Sequence, residues 1–339
     1  MKAWIARKQA SIEEKPMEFT NLPTPIPKGD EIRIKISACG ICRTDLHIVE
    51  GDLPLKKSPI VPGHEVVGVV DEVGDKVKRF KSGDKVGVSW LHSTCGRCKY
   101  CLSGRENYCP EYKCTGWHVN GGFAEYMTIR EDFALSLQGV DMDPEDIAPL
   151  LCPGVAGYLS FKLASVKEGD KLGLYGFGPT AYYVLKVANY LGIECYVSTR
   201  SKHNIESARR EGAVWANDTM NAKMPERLDA AILFPPAGKL VEPTLSQVNQ
   251  GGRVILAPVD MSLIEINDYS NNLWGRDIFT LYNVKHSESE EFLRLATKIG
   301  ITIDIKVFPF EKLQDAMIQL KQRKIKEPNV VIKMPTPEG

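Results

Sequence analysis

The chain has 339 residues, 43% hydrophobic and 25% charged, a length that suggests about two domains and a composition that excludes fibrous and disordered classes. Its 43 basic and 43 acidic side chains cancel, which argues against nucleic acid or any other polyanionic partner. The first residues place charges on both sides of a few apolar ones, too short a run for a signal peptide, and no stretch approaches the roughly 20 apolar residues that a membrane span needs.

Up to about residue 150 the pattern is one of short β segments. Residues 31–36 alternate, 66–73 read as a valine-rich strand pair, and 85–88 form another strand, with Pro and Gly punctuating the chain at 22–29 and 60–63. This predicts a small, irregular β-barrel. Within it, Cys95, Cys98 and Cys101 form two C-x2-C steps and Cys109 follows, enough thiolate for a closed tetrahedral zinc site whose role is to hold a loop. A disulfide reading would have to crowd four cysteines into one short loop of a chain with no secretory signal. The nine cysteines fit a reducing cytoplasm better. A zinc ribbon on nucleic acid fits poorly, because the loop carries few basic residues.

From 153 to 284 strand and helix alternate, with strands at 171–175, 194–198, 229–234, 252–257 and 278–283, the pattern of a doubly wound parallel sheet of Rossmann type. After the first of these strands, Gly176-Phe177-Gly178-Pro179-Thr180-Ala181 leads into a helix at 182–190. Glycines there let the backbone approach a pyrophosphate at the helix's positive end, and Ala181 lets helix and strand pack closely. About twenty residues on, where an NAD-binding fold places an acid for the ribose, the chain has Ser198, Thr199, Arg200 and Lys202. A guanidinium flanked by hydroxyls and an ammonium suits a 2′-phosphate, so NADP is favoured over NAD; the plainer alternative is that Arg200 stacks on adenine or faces water. The last stretch, a helix at 287–299 and strands at 303–310 and 330–334, reads as a return to the first domain. The expected domains are therefore 1–152 with 285–339, and 153–284.

Gly40-Ile41-Cys42-Arg43-Thr44-Asp45-Leu46-His47 and Gly63-His64-Glu65-Val66-Val67-Gly68, with Gly74 and Val77 in step behind, resemble the zinc-dependent alcohol dehydrogenases of the medium-chain dehydrogenase/reductase family. The resemblance covers essentially the whole chain, including the cysteine loop, the glycine turn and Leu151-Cys152-Pro153-Gly154. It implies a GroES-like β-barrel catalytic domain joined to the cofactor domain, two zinc ions per chain, and a homodimer or homotetramer. It also implies that Cys42, His64 and Cys152 hold a catalytic zinc with one position open, that Glu65 exchanges with the open-site ligand, and that Asp45 orients His64. Cys39 is assigned a neighbouring, non-ligand place. The resemblance further implies that Thr44 and His47, with the cofactor ribose between them, carry the proton out, and that Arg43 contacts the cofactor pyrophosphate.

For each residue a plainer role stands beside the implied one. Glu65 could form an ion pair behind the site, Thr44 could cap a helix, and His47 and Arg43 could be solvated surface residues. By family position Leu53, Trp90 and Trp117 line an apolar pocket for a primary alcohol or aldehyde of moderate size, although tryptophan is more often core. Ala156 departs from the family pattern, since many relatives have a hydroxyl residue there. Cys114 and Cys195 read as buried thiols. A zinc-free quinone reductase of the superfamily would lack these ligands, a polyol dehydrogenase would carry a carboxylate in place of Cys152, and a non-enzymatic zinc-bearing structural or regulatory protein would bind no nucleotide.

Overall fold

The computed structural model describes residues 1–220, 222 and 224–335. Chain contacts divide into two units, one formed by Met1–Cys152, Asn283–Thr297 and the residues from Thr302 on, the other by Pro153–Tyr282 with Lys298–Ile301.

In the first unit everything is organised around the strand Glu31–Ile41. Its residues alternate in burial as far as Ser37 and are all buried from Ala38 on, so the strand begins with one face in water and ends in the interior. Along one edge it pairs with Glu65–Val73. Along the other its first half pairs with Tyr126–Arg130 and its second half with Asn329–Lys333. Register shifts at Arg33/Ile34 and Ile36/Ala38 bend the strand between those two neighbours and curl the seven-stranded sheet. The sheet continues to Lys85–Val88 and Leu135–Ser136 on one side and to Ile305–Pro309 on the other; this last pairing, with Asn329–Lys333, is parallel and the rest are antiparallel.

The valine-rich segment expected as a strand pair is one continuous strand, Glu65–Val73. Its acidic end stays in the ladder because Arg33 lies across from it, with Nε donating to Asp71 at 2.7 Å and Nη1 reaching Glu72 at 2.6 Å. Elements outside the sequence-based expectation include an antiparallel hairpin of Lys2–Ala6 with Met17–Asn21, the helices Arg43–Glu50 and Leu313–Lys321, and the strand Tyr126–Arg130.

In the second unit six parallel strands lie in the order Trp215–Asn217, Glu194–Ser198, Lys171–Tyr175, Leu228–Leu233, Val248–Leu256, Asp277–Thr280. Numbered within the unit this is 3-2-1-4-5-6, the doubly wound order. The helices Pro153–Ala164, Pro179–Tyr190, Lys202–Arg210 and Val241–Gln247 connect or precede the strands. Central strands are therefore covered on both faces. Leu228, Ala231, Leu233, Val248, Val254 and Leu256 are buried with Val241 and Leu245 of a covering helix, and the polar Asp229 and Arg253 of the same strands are only partly buried. The last strand ends at Thr280, short of the expected 283, and Asn283 adopts the left-handed conformation (φ 53°), which no strand accommodates.

Candidate active site

The fully buried end of Glu31–Ile41 delivers Cys42 to the start of the helix Arg43–Glu50, where the Cys42 N–H donates to Asp45 Oδ2 at 2.9 Å. The other oxygen of Asp45 accepts from Gly63 N (3.1 Å) and from His64 Nδ1 (3.0 Å). Asp45 is wholly buried, so these bonds lock one imidazole orientation. The result is that His64 Nε2 is buried and has no hydrogen-bond partner. Such an atom is costly to leave bare and is what a ligand to a metal looks like before the ion is considered.

Around that nitrogen lie Cys42, Cys152 and Glu65, with one donor atom from each of the four residues within 4.8 Å of all the others. Cys152 follows the short 3-10 turn Ala148–Leu151, and its Sγ stands 3.8 Å from Cys42 Sγ. Zinc–sulfur bonds of ~2.3 Å in a tetrahedron put sulfurs about 3.8 Å apart, so the donors fit a zinc ion. Glu65 reaches the set by crossing the backbone opposite it. The two residues are paired in the ladder, and any side chain at Gly40 would collide with the Glu65 carboxylate.

Electrostatically the set is short of positive charge. The hydrogen bond from Cys152 holds the Cys42 thiol well below its ordinary value, while that same contact, together with burial, pushes Cys152 up. Burial pushes the Glu65 carboxyl well above its usual range, with the charge on Cys42 adding to it. Burial lowers the His64 imidazole, but the Asp45 carboxylate outweighs it and the net direction is well upward. Three acids this close cannot all be ionised unless a divalent cation sits among them; otherwise some keep their protons. Cys39 stays outside: burial drives its thiol well up, and its Sγ donates to the Gly40 carbonyl at 3.5 Å.

The other expected residues of this unit are distributed unevenly. Thr44 is half-buried, with its hydroxyl 3.7 Å from Cys42 Sγ. His47 is exposed, one turn along the helix, and its Nδ1 meets Asp52 at 2.6 Å. Arg43 is exposed and Leu53 half-buried. Trp90 packs edge-on against the His64 ring at 5.1 Å between centroids and stacks on Trp117 at 5.9 Å with 19° between planes. These two indoles form a wall running away from His64.

The cysteine loop closes on itself. Cys95 and Cys109 sulfurs are 3.5 Å apart, Cys98 and Cys101 3.5 Å, and Cys95 and Cys101 4.0 Å, and Cys95 N donates to Cys109 Sγ. All four sulfurs lie within 4.8 Å of one another, a donor set suited to zinc with no open position.

In the second unit the glycine turn follows the strand Lys171–Tyr175. Gly176 has φ 87° and donates to Ser198 O at 2.7 Å; Gly178 caps the helix Pro179–Tyr190, with Pro179 in its first turn, and Ala181 is fully buried against the sheet. Ser198 and Thr199 are nearly buried, and the Ser198 hydroxyl is engaged with Thr219 at 2.8 Å, whereas Arg200 and Lys202 are exposed. Sequence reasoning missed Asn204, whose Nδ2 donates to Phe177 O at 2.6 Å and ties the glycine turn to the helix Lys202–Arg210. Gly40 was read only as part of a motif; its role, leaving room for Glu65 on the paired strand, is visible only in the structure.

The family model "Alcohol dehydrogenase GroES-like domain" matches residues 28–139. The "Probable alcohol dehydrogenase AdhA" of Mycobacterium tuberculosis is 38% identical over 331 residues, covering 96% of this chain and 95% of the relative. Cinnamyl alcohol dehydrogenase 7 of Arabidopsis thaliana is 32% identical over 310 residues, 87% of this chain and 86% of its own length. Among solved structures, a cinnamyl alcohol dehydrogenase of Sorghum bicolor superposes with a TM-score of 0.88 at 28% identity, over 98% of this chain and 97% of that one.

Proposed function

The chain belongs to the zinc-binding medium-chain alcohol dehydrogenase family and is an oxidoreductase of that kind; from this premise we propose a reversible hydride transfer between a primary or small secondary alcohol and NADP, with NAD as the poorer cofactor. The observation that carries the proposal is the orphaned His64 Nε2, held by Asp45 among two thiols and a carboxylate.

Cys42, His64 and Cys152 would hold the catalytic zinc, and Cys95, Cys98, Cys101 and Cys109 the structural one. Bound in the open set, zinc supplies Lewis acidity without redox chemistry, and the nicotinamide supplies or accepts the hydride. The protein's own groups do the rest. Asp45 fixes the tautomer of His64 so that Nε2 faces the set. Thr44, beside Cys42, would relay the alcohol proton, accepting it as its own hydroxyl proton passes to the cofactor ribose. His47, at the exposed face of the same helix, would take the proton from the ribose and release it to solvent while Asp52 holds its Nδ1. Glu65, from its place in the same cluster, would be a further oxygen donor to the ion. Gly176, Gly178 and Ala181 would receive the pyrophosphate, and Arg200 with Lys202, Ser198 and Thr199 the ribose phosphate, the two exposed cations being free to move towards it.

Assembly as a homodimer or homotetramer is part of the proposal. The strand Asp277–Thr280 is an unpaired edge of the parallel sheet, and near it in sequence lie the exposed side chains of Leu263, Tyr269, Trp274 and Phe279. A cytoplasmic setting keeps the cysteine sets reduced, and among the described residues no single helix is long and apolar enough to cross a membrane.

The decisive experiment is metal analysis beside an alcohol panel run with both cofactors. Two zincs per chain, and a higher kcat/KM with NADPH than with NADH, are expected. A protein with two zincs, no nucleotide binding and no turnover would be a structural zinc protein instead.

A further inference from the structure

We propose that Asn283 is a positioning residue that holds Trp90 in the wall beside His64 and so sets the preference for flat, unsaturated alcohols over small ones. The inference rests on the alcohol dehydrogenase reading and adds a residue that no sequence motif contains.

Trp90 is held at two points. Its carbonyl accepts from Thr115 N at 2.9 Å, which fixes the backbone. Its indole N–H donates to Asn283 Oδ1 at 3.1 Å, which fixes the ring. Asn283 is itself anchored, since its Nδ2 donates to the Asn107 carbonyl at 3.1 Å. With both ends of the amide engaged, the side chain cannot flip, and Oδ1 stays turned to the indole. The backbone of Asn283 is left-handed at φ 53°, a conformation that asparagine tolerates better than most residues, so the position suits both the turn and the grip.

The held ring matters because of what it touches. Trp90 meets the His64 imidazole edge-on at 5.1 Å and stacks on Trp117 at 5.9 Å. Trp117 has its own anchor, Nε1 donating to the Pro54 carbonyl at 3.0 Å. The two indoles thus lie within 19° of parallel because each N–H is tied to a different segment of the chain. A planar, conjugated substrate gains face contact with such a wall, whereas ethanol is too small to use it. Releasing Trp90 costs the first substrate its contact and leaves the second little changed. The loss falls on KM, because the contact exists before the chemical step.

The test uses two variants of the zinc-loaded enzyme. Asn283→Gly keeps the left-handed backbone easy and removes the amide; Asn283→Asp keeps an oxygen for the indole N–H. The ratio of kcat/KM for cinnamyl alcohol to that for ethanol is expected to fall about five- to tenfold in Asn283→Gly, the size of one aromatic contact, through KM. Asn283→Asp should recover only part of it, since the carboxylate keeps an acceptor for the indole but puts a second oxygen against the Asn107 carbonyl. Hydrogen exchange at the Trp90 indole, assigned by a Trp90→Phe spectrum, should quicken in Asn283→Gly and less so in Asn283→Asp. An unchanged ratio or an unchanged indole signal in Asn283→Gly overturns the proposal. If no alcohol is turned over at all, the functional reading fails, while the indole signal still decides whether Asn283 holds Trp90.

Discussion

The two cysteine sets differ in how much chain lies between their members. The closed set is local: its outermost thiols, Cys95 and Cys109, are 14 positions apart. The open set joins Cys42 to Cys152 across 110 positions and draws His64 and Glu65 from between them. A loop can close around a metal with little help, because the entropy of bringing near residues together is small, and binding and local folding are then one event. The distant set must be assembled by the sheet. Glu65 sits opposite Gly40 because the strands pair in that register, and His64 faces inward because Asp45, on another element, receives its Nδ1. The difference teaches that the closed set needs only its own loop to form, whereas the open set needs the register of the whole sheet; the proposed split of structural and chemical roles follows that line.

The comparison is broken or sharpened most strongly by removing one ligand from each set. Cys152→Ser is expected to lower kcat/KM by about a thousandfold, the loss of several kcal/mol of Lewis-acid stabilisation, with one zinc left per chain. Cys98→Ser is expected to lose one zinc as well, but to show its loss first as a lower thermal midpoint. Equal activity losses in the two variants at low temperature would erase the distinction. Asp45→Asn comes next, with a drop of about ten- to a hundredfold in zinc affinity or activity, read by competition with a chelator.

A third prediction concerns the strand that feeds the closed set. His92, on Leu91–Ser93, has a buried Nδ1 without a partner, and burial lowers its imidazole from 6.5 to about 4. The unfolded chain takes up a proton below about 6.5 that the folded one refuses until about 4. This contribution is therefore fully present above pH 6.5 and is lost as pH falls from 6.5 towards 4. Between pH 7 and pH 5 it amounts to about 2 kcal/mol, and denaturant unfolding of His92→Gln should lack that part of the slope. The smallest expected effect is His47→Gln, which should slow turnover about tenfold at pH 6 to 7. An unchanged pH–rate profile would remove His47 from the proton path.

Legibility in the sequence followed the same division. The parallel strands were readable because burial on both faces leaves short, mostly apolar runs, as at 230–233, and the glycine turn because Gly176 needs a positive φ that few residues adopt. The single strand Glu65–Val73 was read as a pair, since nothing local shows that Arg33 would hold its acidic end in the ladder. The hairpin of Lys2–Ala6 with Met17–Asn21 and the helix Arg43–Glu50 were not read, the first because its partner segments lie apart, the second because the helix is short and carries the site's polar residues. The stop at Thr280 was missed because the left-handed turn at Asn283 answers to Trp90, far away in the chain.

Composition, periodicity and spacing by themselves determined a two-part α/β chain, a local four-thiolate set and a glycine turn, and likeness of motif supplied the family. These features depend on neighbours within a few residues, where the chain's own geometry decides what can form. Only the tertiary structure decided that His64 Nε2 is left without a partner, that Glu65 reaches the thiols past Gly40, and that Asn283 holds Trp90. Those contacts join positions tens to hundreds of residues apart, and strand register and burial, which no short window of sequence contains, bring them together.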